Sequence, residues 1–363
     1  MKRIWTRAAA AAALCAVLLS GCSFSSEILS DHSAPADPLT GQALQYPGER
    51  AAAVVIDNAP ASTVQWGIGS ASVVLEAQTE ADAPTSLCLA YPAVSAMPTV
   101  GPVTLGQDLY WRLLSGQQVL PIQRGCDLYT RNFLDYWNLR AVDALETGRN
   151  AFTTGNTDWA SPLWCTNGQS VAKVLGSLSL SSALSEDPAE SADSTQEGDT
   201  PAVPTVPALL PQQTDGHLPD ADVADAVQAA VQFPSSSTTR FAYDTDTGTY
   251  GMLHNDGSPQ LDANTGIQAA FDNLLVLYSA STPRDDGRTL DYDLTMGGGL
   301  WLNGGHLWHI TWTQGTGSTF AFYDADGRPL RILSGRSYIA WLSSLTGEEV
   351  TVQDSAGNDL LQP

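Results

Sequence analysis

Hydrophobic and polar positions follow two different rhythms along the chain. Up to about residue 178, short apolar runs alternate with stretches whose apolar residues recur at helical spacing. Ala51-Ala-Ala-Val-Val-Ile-Asp57-Asn58, Val73 to Glu76, Leu87 to Tyr91 and Val119 to Ile122 predict buried strands. Leu105 to Leu114, Asp127 to Leu139 and Ser170 to Leu178 predict helices. In the second helix, Leu128, Phe133, Tyr136 and Trp137 form one broad apolar face, expected to meet the core. Strand–helix alternation over 38–178 predicts an α/β domain.

From about residue 220 to 357 the pattern becomes β. Short runs are punctuated by Asp244-Thr-Asp-Thr-Gly248, Asn255-Asp256-Gly257, Asn303-Gly304 and Asp326-Gly327. Asn303-Gly304 predicts a type I′ hairpin, with Trp308, Ile310 and Trp312 sharing one face of its second strand. This half is expected to be a β-rich antiparallel domain followed by a short tail, 358–363. Between the halves, 179–219 is rich in Ser, Ala, Pro, Glu, Asp and Thr. No basic residue occurs between Lys173 and Arg240, so this linker is expected to be unstructured. The whole reads as an α+β protein of two domains, which suits 363 residues.

The first 22 residues have a different purpose. Met1 to Arg7 is basic, and Ala8 to Leu19 is apolar but too short to span a bilayer. The run ends Leu19-Ser20-Gly21-Cys22, a lipobox pattern. Small residues at 20 and 21 admit a peptidase, and the Cys22 thiol takes the diacylglycerol. Two acyl chains on one residue give a stable anchor. Residues 23–37 then read as a polar tether. The expected location is the extracytoplasmic face of the cell membrane, with the membrane itself as a partner through Cys22.

Composition narrows the partners. The chain carries 39 acidic against 16 basic residues, a formal charge of −23. Such a surface repels phosphate backbones, which excludes a nucleic-acid role. Outside the leader and Cys22, three cysteines remain, so at most one disulfide forms. Cys88 sits in an apolar run, which leaves Cys126 and Cys165 as the candidate pair. No Cys-x-x-Cys is present, and 38–178 contains no histidine. A Ser-His-Asp system or a His-based zinc site is therefore not expected there. His306 and His309 lie on a predicted strand, where a spacing of three points them to opposite faces. The Asp244-x-Asp246 and Asp324-x-Asp326 turns open like calcium loops, but both lack the closing acid. Asx turns account for them. No metal and no cofactor is expected.

The polar residues that invite chemistry are Asp57 and Asn58 at the end of the first strand, with Glu76, Arg124 and Asp127. α/β proteins place binding groups at strand ends. Equally, Asp57 and Asn58 suit a turn cap, and Glu76 an arginine partner. Trp301, Trp308, Trp312 and Trp341 suit either a sugar-stacking platform or a core.

Taken together, these blocks resemble the YerB-type bacterial lipoproteins, a family built on domains of unknown function. Asp37-Pro-Leu-Thr-Gly41, Val54 to Asn58 followed by Pro60, Ala71 to Ala77, Val100-Gly-Pro-Val103 and Glu146 to Phe152 are similar to its N-terminal half. Asp272 to Val276, the Trp308–Trp312 strand, Asp324 to Gly327 and Ser334 to Ile339 are similar to its C-terminal half. Thr104-Leu105-Gly106, Pro162 to Thr166 and Met252 depart from the family's polar pattern, so any ligand bound there by relatives is altered here. The resemblance implies a surface location and no known reaction. The expected function is a non-enzymatic binding or scaffolding module that engages an envelope protein or glycan. The alternatives are a carboxylate-dependent envelope hydrolase built on Asp57 and Glu76, a glycan-binding protein, or a calcium-dependent adhesin.

Overall fold

Residues 35–59, 64–155, 163–185, 204–214, 218–234, 237–315, 318–345 and 349–361 are described by the computed structural model. The leader, Cys22 and most of the tether lie outside them. The expected strands form: β1 (Ala52–Asp57), β2 (Val73–Ala77), β3 (Ser86–Tyr91) and β4 (Leu120–Gln123). A short β5 (Val142–Asp143) follows. β1 is antiparallel to β3 and parallel to β4, and β4 is parallel to β5. The later half supplies β6 (Gln228–Gln232), β7 (Thr238–Asp244), β8 (Thr249–Leu253), β9 (Asn273–Ser279), β10 (Met296–Asn303), β11 (His306–Gln314), β12 (Phe320–Tyr323), β13 (Ser337–Ser343) and β14 (Glu349–Gln353).

The two halves share one sheet. Its order runs β12-β11-β10-β9-β13-β2-β3-β1-β4-β5, with Pro329–Leu330 beyond β12. β13 lies parallel to both β9 and β2, and pairs Val73 with Ser337 through Ala77 with Trp341. A strand flanked by parallel neighbours and covered on both faces should be apolar throughout. Tyr338-Ile-Ala-Trp-Leu342 is, and all seven residues of β13 are buried. The later half is therefore mixed, and not purely antiparallel as expected.

Each face of this sheet carries a core. On one face, Val54, Val74, Val276 and Tyr338 pack with Phe241, Tyr250 and Phe271 of a second sheet, ordered Ala270–Phe271, β8, β7, β6, β14. On the other, Val55, Leu75, Trp301 and Trp341 pack with Leu109, Tyr110 and Trp111 of α1 (Asp108–Leu113). Period-2 alternation decides the assignment: Val74 and Glu76 face the second sheet, Val73 and Leu75 the helix.

Four expectations require correction. First, α1 begins at Asp108, not Leu105. Gly106 N donates to Gly125 O and Arg124 N to Thr104 O, so residues 104–106 are held extended before the helix starts. Second, α2 (Leu128–Tyr136) turns its Thr130 and Leu134 inward, while Leu128, Tyr136 and Trp137 are 65%, 81% and 61% exposed. The broad apolar face points outward. Third, the hairpin turn is Gly304-Gly305, one residue later than expected, with φ of 57° and 77° and Asn303 paired to His306. Both central residues of a type I′ turn need positive φ, which two glycines supply without strain. Fourth, part of the acidic linker is ordered. Leu209 and Leu210 are buried, Leu209 N donates to Pro38 O, and Gln212–Gln213 pairs with Ile332–Leu333. Averaged composition hid this uncharged stretch. The tail is also engaged, since Leu360 N donates to Val352 O.

Candidate functional site

The sequence candidates divide into structural groups and bystanders. Glu76 is fully buried beneath the second sheet. Asn58 Nδ2 and Thr85 Oγ1 donate to its Oε1 at 2.8 and 2.7 Å. Thr239 Oγ1 and Tyr338 Oη donate to its Oε2 at 2.8 and 2.5 Å. Neutral donors from both halves thus replace the arginine expected. Burial pushes the Glu76 carboxyl above its ordinary range, and the four hydrogen bonds oppose that shift. Asn58 is itself oriented by Gln65 Nε2, which donates to its Oδ1 at 3.0 Å. Asp57 Oδ1 accepts from Ala59 N and caps the turn. Arg124 lies 5.7 Å from the Trp164 ring centroid, away from this cluster. Asp127 caps α2, accepting from Thr130 N at 2.7 Å. Of the five candidates only Asn58 and Glu76 meet directly in the contacts described, and Glu76 is sealed from solvent.

The expected Cys126–Cys165 bond is absent: both are free thiols, as is Cys88. Cys165 lies in a short strand against Gly101, whereas Cys126 faces Gln123 and Arg131. Burial raises all three thiols, Cys165 to about 11. The tryptophan platform is core as well. Trp301, Trp308, Trp312 and Trp341 are buried, and Trp301 stacks on Trp308 at 4.2 Å. Asp324 Oδ1 accepts from Asp326 N and Arg328 N, the Asx geometry expected of a simple turn. His306 and His309 lie on opposite faces of β11.

A second buried carboxylate escaped sequence reasoning. Asp262 accepts from Gly67 N at 3.2 Å, Gly69 N at 2.8 Å and Asn264 N at 2.8 Å. Near it in space but far along the chain, Arg336 donates to Ala71 O and Ile68 O at 2.8 and 3.0 Å. Both residues come from the later half and clamp one loop of the earlier half. Nothing in their local sequence distinguishes them from turn residues.

A large open cleft lies elsewhere among the described residues. It has a volume of about 1070 Å³ and runs between the α1–α2 region and the later half's 280–295 segment with Gln314, Gly315 and Ser318. Phe133, Trp137 and Leu139 form an apolar wall. Thr282, Asp291, Asp293, Thr295 and Gln314 contribute the polar side. An ionic cluster fixes the walls. Arg284 Nη2 donates to Asp108 Oδ2 at 2.7 Å and to Asp291 Oδ1 at 3.0 Å, and Arg112 Nη1 to Asp291 Oδ1 at 2.8 Å. Burial pulls the Arg284 guanidinium down, but its two aspartates hold it above the ordinary arginine value. The sequence did hold a signal, the adjacent Tyr136-Trp137 pair, but helical periodicity assigned it to the core.

Fold and site define a mixed-sheet protein with an aromatic-walled cleft between its halves. The family described as a protein of unknown function (DUF3048) matches the chain twice, its N-terminal domain over residues 39–180 and its C-terminal domain over 229–339. The chain belongs to this YerB-like DUF3048 family. Among solved structures it is similar to the YerB protein from Bacillus subtilis, at 19% identity and a TM-score of 0.71, covering 87% of this chain and 99% of that one. That likeness speaks to the fold alone. No curated protein matches the chain in sequence.

Proposed function

We propose that this protein is a lipid-anchored binding module at the extracytoplasmic face of the cell membrane, with the cleft beside α2 as its ligand site. The basic, apolar and Leu19-Ser-Gly-Cys22 sequence supports the anchor. The N-terminal half reads as an α/β unit, supported by the parallel β4–α2–β5 connection that carries one cleft wall. The observation that carries the binding reading is the exposed aromatic wall of α2, set across an open cleft from hydroxyl, carboxylate and amide groups. Large concave sites with an apolar lining and a few polar groups are the usual form of a ligand pocket. A hydrolase using Glu76 is disfavoured, because that carboxylate is buried and already accepts four hydrogen bonds.

The test has two parts. The full chain should incorporate radiolabelled palmitate, and Cys22→Ser should abolish both labelling and membrane retention. Immobilised full chain should retain a component of envelope extract, and Trp137→Ala should release it. Retention indifferent to Trp137→Ala would remove the cleft from the reading.

A further inference from the structure

We propose that the cleft binds a saccharide, uncharged or bearing free amines, through stacking on Trp137 and hydrogen bonds to the opposite wall. This inference rests on the cleft being the ligand site. A sugar ring presents a C–H face and a rim of hydroxyls. It needs a flat apolar surface beside a set of fixed donors and acceptors.

The cleft has both. Trp137 is held at the end of α2 by Tyr136, at 5.2 Å and nearly perpendicular, and by Phe133 at 6.5 Å. Its ring packs against both neighbours yet remains mostly solvent-exposed. A mobile surface tryptophan would lose rotamer freedom on binding, whereas a braced one loses less. On the polar side, Gln314 Nε2 is shielded from solvent and has no hydrogen-bond partner among the described residues. An amide N–H left in that state costs free energy unless something accepts from it. Gln314 lines the cleft, and rotation of its terminal amide toward the opening would bring this donor to a ligand hydroxyl or carbonyl.

Charge selects among saccharides. Asp291 and Asp293 both line the cleft, and Asp285 lines the hollow adjoining it. Arg112 also lines the cleft, but its Nη1 is 2.8 Å from Asp291. The Thr295 hydroxyl and amide hold the Asp293 carboxyl below its usual range, so it stays ionised. With the chain at −23 overall, phosphate-bearing polymers are repelled. Sugars that are neutral or carry ammonium groups are not. The volume of about 1070 Å³ slightly exceeds the usual size of small-molecule sites, about 300–1,000 Å³. It therefore admits more than one ring.

Titration calorimetry on the full chain in detergent tests this, with the β-1,4 trisaccharides of N-acetylglucosamine and of glucosamine and with a poly(glycerol phosphate) as probes. Heat is expected with at least one trisaccharide and not with the phosphate polymer. Trp137→Ala should weaken sugar binding about tenfold or more, because it removes the stacking surface. Gln314→Leu should weaken it without touching that surface. Because Trp137 is exposed, its variant should keep the parent's unfolding temperature; Gln314→Leu supplies the second line if it does not. Absence of heat with both sugars at 10-millimolar concentration overturns the proposal, as does sugar binding indifferent to both variants. If sugars fail while envelope retention still depends on Trp137, the cleft remains a binding site and only the saccharide assignment falls. If neither depends on Trp137, both fall.

Discussion

Tyr338 Oη donates to Glu76 Oε2 at 2.5 Å, and the two residues stand on neighbouring parallel strands contributed by opposite halves of the chain. The same carboxylate accepts from Asn58, Thr85 and Thr239. One buried group therefore ties both parts of the continuous sheet to the sheet that covers it. Removing an acceptor strands its donors, whereas removing one donor leaves three.

Glu76→Leu should consequently destabilise by about 3 kcal/mol or more, and Tyr338→Phe by about 1–3 kcal/mol. Glu76→Gln keeps an acceptor and should fall well short of Glu76→Leu. Urea unfolding midpoints at fixed slope measure all three. Equal losses for the Gln and Leu variants would refute the acceptor role.

The pH dependence has a definite sign. Burial raises the folded-state value of Glu76 above that of the unfolded chain. The folded protein then holds the proton more tightly, so this contribution is complete below the unfolded value, about pH 4.3. It is lost as pH rises through the folded value. Subtracting Glu76→Gln isolates it from the exposed aspartates. The parent should lose stability relative to the variant as pH is raised from 4, and a difference that stays flat contradicts the assignment.

The ionic cluster predicts an asymmetric response. Asp108 and Arg284 side chains are 8% and 13% exposed, whereas Asp291 is 49% exposed. Arg284→Met leaves the buried Asp108 with only Arg112 at 3.6 Å and should cost about 2–4 kcal/mol. Asp291→Asn, at the solvated end, should cost less than about 1 kcal/mol. Thermal unfolding of both variants checks the order.

Thiol reactivity separates the three free cysteines. Cys88 and Cys165 are buried and Cys126 is partly exposed. Maleimide applied to the native protein should label Cys126 well before the other two, and Cys126→Ser should remove the fast phase. Simultaneous protection of Cys126 and Cys165, released by a reductant, would point to a bond between them.

Local pattern carried much of the fold. Ala52–Asp57, Val73–Ala77, Ser86–Tyr91 and the Trp308–Trp312 strand were legible because strands buried on one or both faces write their period directly. The cap at Asp57 was legible as one of two alternatives, since a short acceptor beside free amides satisfies them locally, whereas Asp127 was read only as a binding candidate and its cap on α2 was missed. The outward face of α2 was not, because periodicity reports that a helix is amphipathic without saying what covers it.

The sequence by itself determined the first four strands and the tryptophan hairpin, the acidic composition and the family resemblance, all of which depend on residues near one another in the chain. Only the tertiary structure decided that β13 inserts between β9 and β2, that Glu76 and Asp262 are internal acceptors, and that Trp137 and Gln314 line one cleft. Those outcomes depend on groups far apart in the chain, such as Glu76 and Tyr338. Their free energy comes from desolvation and hydrogen bonding at contacts that no local pattern encodes.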